Sequence, residues 1–269
     1  MKIVLANSVT TTVGAKKPME RVSKFDGLAE DYERHRPRYP QQLLESISRT
    51  LVSNHPVVVD IGAGTGIVLD GLLPVLPAPR LVVGVDPSQD MVALGAYKHP
   101  GATWIVGTAE DVLEDSSDVD LIVAGQSLQW MDRPRVLRAA NRALSADGIL
   151  AVLQNNRNHE SSGFLSAYED LLEDLSPGYR RDYRSFDFSA EIRAAFHAQP
   201  SYETWIWSQN LGSEDFIGMS RSSTQAQRAI AANGSEFLKR LNALVTEHSE
   251  GDILRIEYLS ELYMIRKDS

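Results

Sequence analysis

The sequence predicts a doubly wound α/β fold on a mostly parallel sheet, and three observations carry that prediction. Val57-Val58-Val59, ahead of Asp60 and Ile61, is an apolar run without polar alternation, as a strand buried on both faces requires. It passes directly into Gly62-Ala63-Gly64-Thr65-Gly66, where glycine at every second position lets the backbone turn sharply beneath a ligand. Residues 67–73 then place apolar side chains as a short buried helix needs, and further short apolar strands alternate with helical stretches downstream.

The glycine spacing separates two kinds of nucleotide site. A dinucleotide fingerprint G-x-G-x-x-G beginning at Gly62 needs glycine at position 67, and Ile67 stands there, so the pattern is G-x-G-x-G. Asp60 lies at the carboxyl end of its strand, where open α/β sheets bind ligands. The next strand, Leu81-Val82-Val83-Gly84-Val85, also ends in an acid, Asp86, 22 residues after Gly64. A carboxylate there accepts hydrogen bonds from both hydroxyls of a ribose, although an aspartate before a helix also serves as its cap. Pro87 follows without cost, because the first amide of a helix has no partner to lose.

A third strand, Thr103-Trp104-Ile105-Val106, leads into Gly107-Thr108-Ala109-Glu110-Asp111. An adenine edge needs one donor and one acceptor, and a backbone amide at Ala109 with an oxygen of Thr108, Glu110 or Asp111 supplies both; each of these oxygens equally suits a helix cap. The fourth strand, residues 119–124, runs into Gly125-Gln126-Ser127-Leu128-Gln129-Trp130-Met131-Asp132, in which Trp130 is expected to pack beneath the loop. A helix over residues 134–143 and the turn Asp147-Gly148 precede a fifth strand ending near Leu153.

These motifs resemble the class I S-adenosylmethionine-dependent methyltransferases. D-I-G-A-G-T-G matches that family's glycine motif, V-D-P-S-x-x-M its second-strand ending, and L-S-A-D-G-I-L-A-V its turn into strand five. The segment A-G-Q-S-L-Q-W-M-D and the earlier F-D-G-L-A-E-D-Y-E-R-H-R-P-R-Y-P resemble the subfamily that includes trans-aconitate methyltransferase and many bacterial small-molecule methyltransferases. The resemblance spans roughly residues 25–266. It implies a Rossmann-like sheet of seven strands whose antiparallel last strand lies beside the fifth, a helical lid over the substrate, and S-adenosyl-L-methionine as cofactor.

The same resemblance implies cofactor contacts from Tyr32, Arg36, Asp60, Gly62, Ala63, Gly64, Asp86, Pro87, Met91, Thr108, Ala109, Glu110 and Gln126. Tyr32 and Arg36 share one face if their stretch is helical, and an arginine fork suits the methionine carboxylate; a solvated basic cluster with Arg34, His35 and Arg38 is the alternative. Gln126 and Gln129 fall where the methyl group is transferred. Many relatives carry histidine at the position of Gln129, and an amide takes up no proton at neutral pH.

Composition bounds the rest. The chain has 269 residues, no cysteine and a formal net charge of −9, which excludes disulfides and thiolate metal sites and argues against a phosphate backbone as partner. The apolar run after Met1 is too short for a signal peptide, residues 1–24 are expected to be mobile, and no stretch is long enough to span a membrane, so a cytoplasmic setting is natural. The cofactor-binding core is expected over 25–155, a helical lid or substrate insert over 156–200, and a part completing the sheet over 201–269. Helices are predicted over 163–175, 190–196, 213–219 and 236–248, with strands over 202–207 and 254–266. Tyr179, Tyr183, Arg184 and Phe186 are substrate-pocket candidates in the aromatic, basic link, with Arg180 and Arg181 as further partners for an acidic substrate. The expected activity is methyl transfer to an oxygen, nitrogen or carbon of a small molecule, with a binding protein that transfers no methyl and a nicotinamide-dependent oxidoreductase as alternatives.

Overall fold

The computed structural model describes residues 33–34, 36–182 and 186–267. A seven-stranded sheet is ordered β3-β2-β1-β4-β5-β7-β6, with β1 Val57–Ile61, β2 Leu81–Asp86, β3 Thr103–Val106, β4 Val119–Gly125, β5 Leu144–Arg157, β6 Ser201–Gly212 and β7 Ile253–Arg266. The first five strands run parallel, and β7 pairs antiparallel with both β5 and β6. The predicted doubly wound sheet with its antiparallel last strand is therefore present.

Each face of the sheet carries its own apolar layer. Val57, Val59 and Ile61 of β1 point into one layer with α4 (Ala109–Glu114), α5 (Arg133–Ala143) and α7 (Phe188–Phe196). Val58 points into the other, against α1 (Gln41–Thr50) and α2 (Ile67–Leu72), which bury Leu43, Ile47, Val68, Leu69 and Leu72. All five residues of β1 are buried, as its unalternating apolar sequence demands. Burying each such valine or leucine contributes about 1.5–3 kcal/mol.

Helix starts follow local chemistry. Ser88 caps α3 (Gln89–Lys98), Asp132 caps α5 and Asp187 caps α7, each side chain accepting from an amide three residues on. The Asp187 cap explains why α7 begins at Phe188, two residues before its predicted start.

A third apolar cluster holds α6 (Gly163–Leu175), α8 (Ser213–Arg221), α9 (Thr224–Asn233) and α10 (Ser235–His248) against Leu254, Ile256 and Tyr258 of β7. Helix α9 was not among the predicted helices. Its buried positions are only Ala226 and Ala229, a weak apolar stripe, and its start is set by Ser223 accepting the Ala226 amide. Strand β5 also runs past its predicted end. Gln154, Asn155, Asn156 and Arg157 stay in the ladder because β7 offers Glu261, Ser260, Leu259 and Tyr258 as partners. Gly125 at the end of β4 pairs with Leu153, so this polar extension of β5 projects beyond the parallel strands toward the helical cluster.

Candidate active site

The glycine turn is built from three left-handed residues, Gly62 (φ 64°), Gly64 (φ 55°) and Gly66 (φ 84°). This conformation is costly for any residue with a Cβ. At Gly62 a methyl would also stand 2.5 Å from the Ser127 Cβ, because the loop after β4 closes on the turn; there the Ser127 hydroxyl donates to the Ile61 carbonyl at 2.7 Å. Ala63 N donates to Val85 O at 2.9 Å and Gly64 N to Asp86 Oδ2 at 2.9 Å, tying the turn to the end of β2.

Two carboxylates face this turn. Asp60 is fully buried, and neither of its oxygens has a hydrogen-bond partner among the described residues. Burial, reinforced by the Asp86 charge, pushes its carboxyl well above the usual aspartate range. Burial also raises Asp86, while the amides of Ser88 and Gly64 oppose that shift. Each Asp86 oxygen takes one amide and retains a lone pair for a ribose hydroxyl.

At the corner predicted to hold the adenine, Met91 and Ala109 are buried and Pro87 is exposed. Ala109 opens α4, where the first N–H groups lack partners within the helix. The Thr108 hydroxyl accepts the Asp111 amide at 3.3 Å and so caps α4, while Glu110 accepts the Asp132 amide at 2.8 Å and links α4 to the start of α5.

The loop after β4 is an amide network. Gln126 has a left-handed backbone (φ 54°), its N–H donates to Leu153 O at 2.9 Å, and its side chain donates to Asn156 Oδ1 at 3.3 Å. Gln129 donates to Gln126 O at 2.8 Å and accepts from Gln154 at 3.4 Å. Gln126, Gln129, Gln154 and Asn156 thus form a corner of neutral groups. Gln154 and Asn156 were missed in the sequence, and the signal for them was the polar run Q-N-N-R at the carboxyl end of a parallel strand. Trp130 does not pack beneath the loop: it is 39% exposed, since Leu128 and Met131 fill the adjoining core.

The leading segment reaches the same edge. Asn155 donates to Arg38 O at 3.2 Å, and the Tyr39 hydroxyl lies so close to Gly125 that a methyl there would meet it at 2.8 Å. Arg36 is half-buried beside these residues, whereas Tyr32 lies outside the described residues.

The described substrate candidates, Tyr179 and Phe186, are not brought together. Tyr179 donates to Glu169 in the helical cluster, whereas Phe186 sits in the layer of α5 and α7 under the Arg133 guanidinium, 4.7 Å from its ring centre. Tyr183 and Arg184 lie outside the described residues. Arg180 pairs with Asp182, and Arg181 with Asp170 and Glu173, at the surface. Arg157 enters instead: it pairs with the buried Glu169 at 3.1 Å and lies over the Tyr168 ring at 4.9 Å.

The description "methyltransferase domain" applies to the family model that matches residues 59–152. A relative from Schizosaccharomyces pombe, called an uncharacterized methyltransferase, is 25% identical over 86% of this chain and 94% of its own. Another uncharacterized methyltransferase, from Mycobacterium tuberculosis, is 33% identical over 52% of this chain and 55% of its own. The solved structure of a candidate type II methyltransferase from Anaeromyxobacter dehalogenans superposes with a TM-score of 0.67 at 20% identity, covering 87% of this chain and 98% of that one. Together with the sheet order and the glycine turn, these matches support reading the chain as a class I S-adenosylmethionine-dependent methyltransferase. That reading implies S-adenosylmethionine as cofactor. Among the described residues no helix is long and apolar enough to cross a membrane.

Proposed function

We propose that the chain methylates an oxygen, nitrogen or carbon of a small molecule in a closed pocket, in a cytoplasmic and secondary-metabolic setting. The observation that carries the cofactor's placement is Asp60, a buried carboxylate with neither oxygen paired among the described residues. A buried ion without a partner is costly, and the ammonium of the methionine end, with three N–H donors and a positive charge, matches it. In this reading Gly62, Ala63 and Gly64 pass beneath the cofactor and Asp86 takes the ribose hydroxyls. Pro87 and Met91 flank the adenine, Thr108, Ala109 and Glu110 line its edge, and Gln126 and Arg36 lie at the methionine end.

The cofactor supplies a methyl group already activated on a sulfonium, so the protein's work is alignment and exclusion of water. The corner at Gln126, Gln129, Gln154 and Asn156 orients through hydrogen bonds and takes no proton, which favours acceptors that attack without a base: a carboxylate, or an amine bound in its neutral form. The likeness of residues 25–40 and 124–132 to the trans-aconitate methyltransferase subfamily supports a small-molecule acceptor, as does the net charge of −9. The lid in this reading is α6 of the expected 156–200 insert together with α8, α9 and α10, which pack on β7 and meet Arg157 of the β5 extension, whereas α7 of the same insert packs against the sheet.

The test is a turnover assay that follows conversion of S-adenosylmethionine to S-adenosylhomocysteine with a panel of acids, amines and phenols. Turnover with one class of acceptor supports the reading. Tight cofactor binding with no turnover across the panel turns it toward a binding protein, and a thermal shift with a nicotinamide cofactor in place of S-adenosylhomocysteine overturns it.

A further inference from the structure

A ring of alternating charges joins the leading segment to the back of the glycine turn. Glu33 Oε1 accepts from Lys98 Nζ at 2.8 Å; the same ammonium lies 2.9 Å from Asp70 Oδ2; Asp70 Oδ2 lies 3.1 Å from Arg38 Nη1; and Arg38 returns to Glu33. The ring spans the residues before α1, helix α2 and the end of α3. At its centre is Thr65, fully buried between Gly64 and Gly66. Its hydroxyl donates to Glu33 Oε2 at 2.5 Å, and its carbonyl accepts from Lys98 at 3.2 Å.

The two sides of the turn are therefore held by different carboxylates. Gly64 N donates to Asp86 on the cofactor side, and the next residue, Thr65, donates to Glu33 on the far side. A left-handed glycine on each side of Thr65 leaves little intrinsic preference for one backbone arrangement, so the turn's shape has to come from what grips it. Glu33 is suited to grip it. Its side chain is only 18% exposed; partial burial works to raise its carboxyl, but the hydrogen bonds from Lys98, Thr65 and Arg38, with the Arg38 charge, outweigh it and hold the carboxyl below the usual glutamate range.

We propose that Glu33 is a positioning residue for the cofactor: through Thr65 it fixes the glycine turn in the shape that presents Gly64 and Asp86, and it makes docking of the leading segment and formation of the cofactor site one event. Glu33 touches no reacting atom, and its effect falls on cofactor affinity. The proposal rests on the glycine turn being the cofactor site.

The experiment measures S-adenosylhomocysteine affinity by calorimetry on the full chain, alongside apo thermal stability. Glu33→Ala and Thr65→Val are each expected to weaken binding about tenfold, equivalent to about 1.4 kcal/mol. The double variant should be no worse than either single one, because the two groups act through one bond. Thr65→Ser keeps the hydroxyl and should restore affinity to within about twofold of wild type. A merely structural contact would lower thermal stability while leaving affinity unchanged, and that result, or additive losses in the double variant, overturns the proposal. Failure of the wild-type chain to bind S-adenosylhomocysteine is a different outcome, which removes the assigned cofactor site itself.

Discussion

Replacing Asp60 by asparagine should make the cofactor-free protein more stable and its cofactor binding weaker. Asp60 is fully buried with neither oxygen paired among the described residues, and its carboxyl is raised by burial first and by the Asp86 charge second. Between the ordinary aspartate value of 3.8 and this raised value the native state holds more protons than the unfolded one. Stability therefore falls as pH rises across that window, and the loss persists above it. Asparagine removes the charge but leaves buried polar atoms. The gain at neutral pH is then the difference between an unpaired charged and an unpaired neutral group, on the order of 1–2 kcal/mol. For a chain of this size that is a rise of about 2–8 °C in apo melting temperature, fading as the pH drops toward the ordinary aspartate value. The variant also loses charge-assisted bonds to the cofactor's ammonium, worth about 1.5–3 kcal/mol, so S-adenosylhomocysteine affinity should fall about 10- to 150-fold. Thermal unfolding from pH 4 to 8 with and without S-adenosylhomocysteine reads both effects. An apo variant no more stable than wild type at neutral pH, or one with unchanged affinity, would refute the reasoning.

Further outcomes test other parts of the structure. Asp86→Ala should reduce S-adenosylhomocysteine affinity at least about 100-fold in calorimetry, through the lost ribose acceptors and the freed Gly64 amide, while circular dichroism stays native. Gly95→Ala places a methyl 2.3 Å from the Trp104 ring and should cost about 1–3 kcal/mol in denaturant unfolding, whereas Gly101→Ala, with nothing within 4 Å, should be neutral. Glu169→Gln leaves the Arg157 guanidinium without its counter-charge and should destabilise by on the order of 3 kcal/mol. Burial alone would raise Glu169, but Arg157 and the Tyr179 hydroxyl hold it below the usual glutamate value of 4.5. Its contribution is therefore present above that value and lost as pH falls through the lower folded one, so the two proteins should converge in acid.

The parts of the fold that were legible in the sequence are those whose local signals need no partner. The run at Val57 to Ile61 states its own double burial, and α6 was placed from Gly163 to Leu175 by its apolar period. Helix α9 was invisible because alanines carry its buried face, and the tail of β5 was missed because only the facing strand β7 explains why Gln154 to Arg157 remain extended. In the candidate site, Gly62, Gly64, Asp60 and Asp86 stood out by spacing. Glu33, Lys98 and Thr65 did not, since they lie 32 residues or more apart and meet only when α2, α3 and the leading segment pack together.

The sequence by itself determined the doubly wound sheet, the left-handed glycine turn and the two acids that face it, because each follows from backbone sterics or hydrophobic burial along a short stretch. Only the tertiary structure decided which polar groups surround that turn. It left Asp60 without a partner among the described residues, put amides from β5 against Gln126 and Gln129, paired Arg157 with Glu169, and turned Arg180 and Arg181 to surface carboxylates. Hydrogen bonds and ion pairs act over about 3 Å, so their partners are set by which elements are brought face to face and not by distance along the chain.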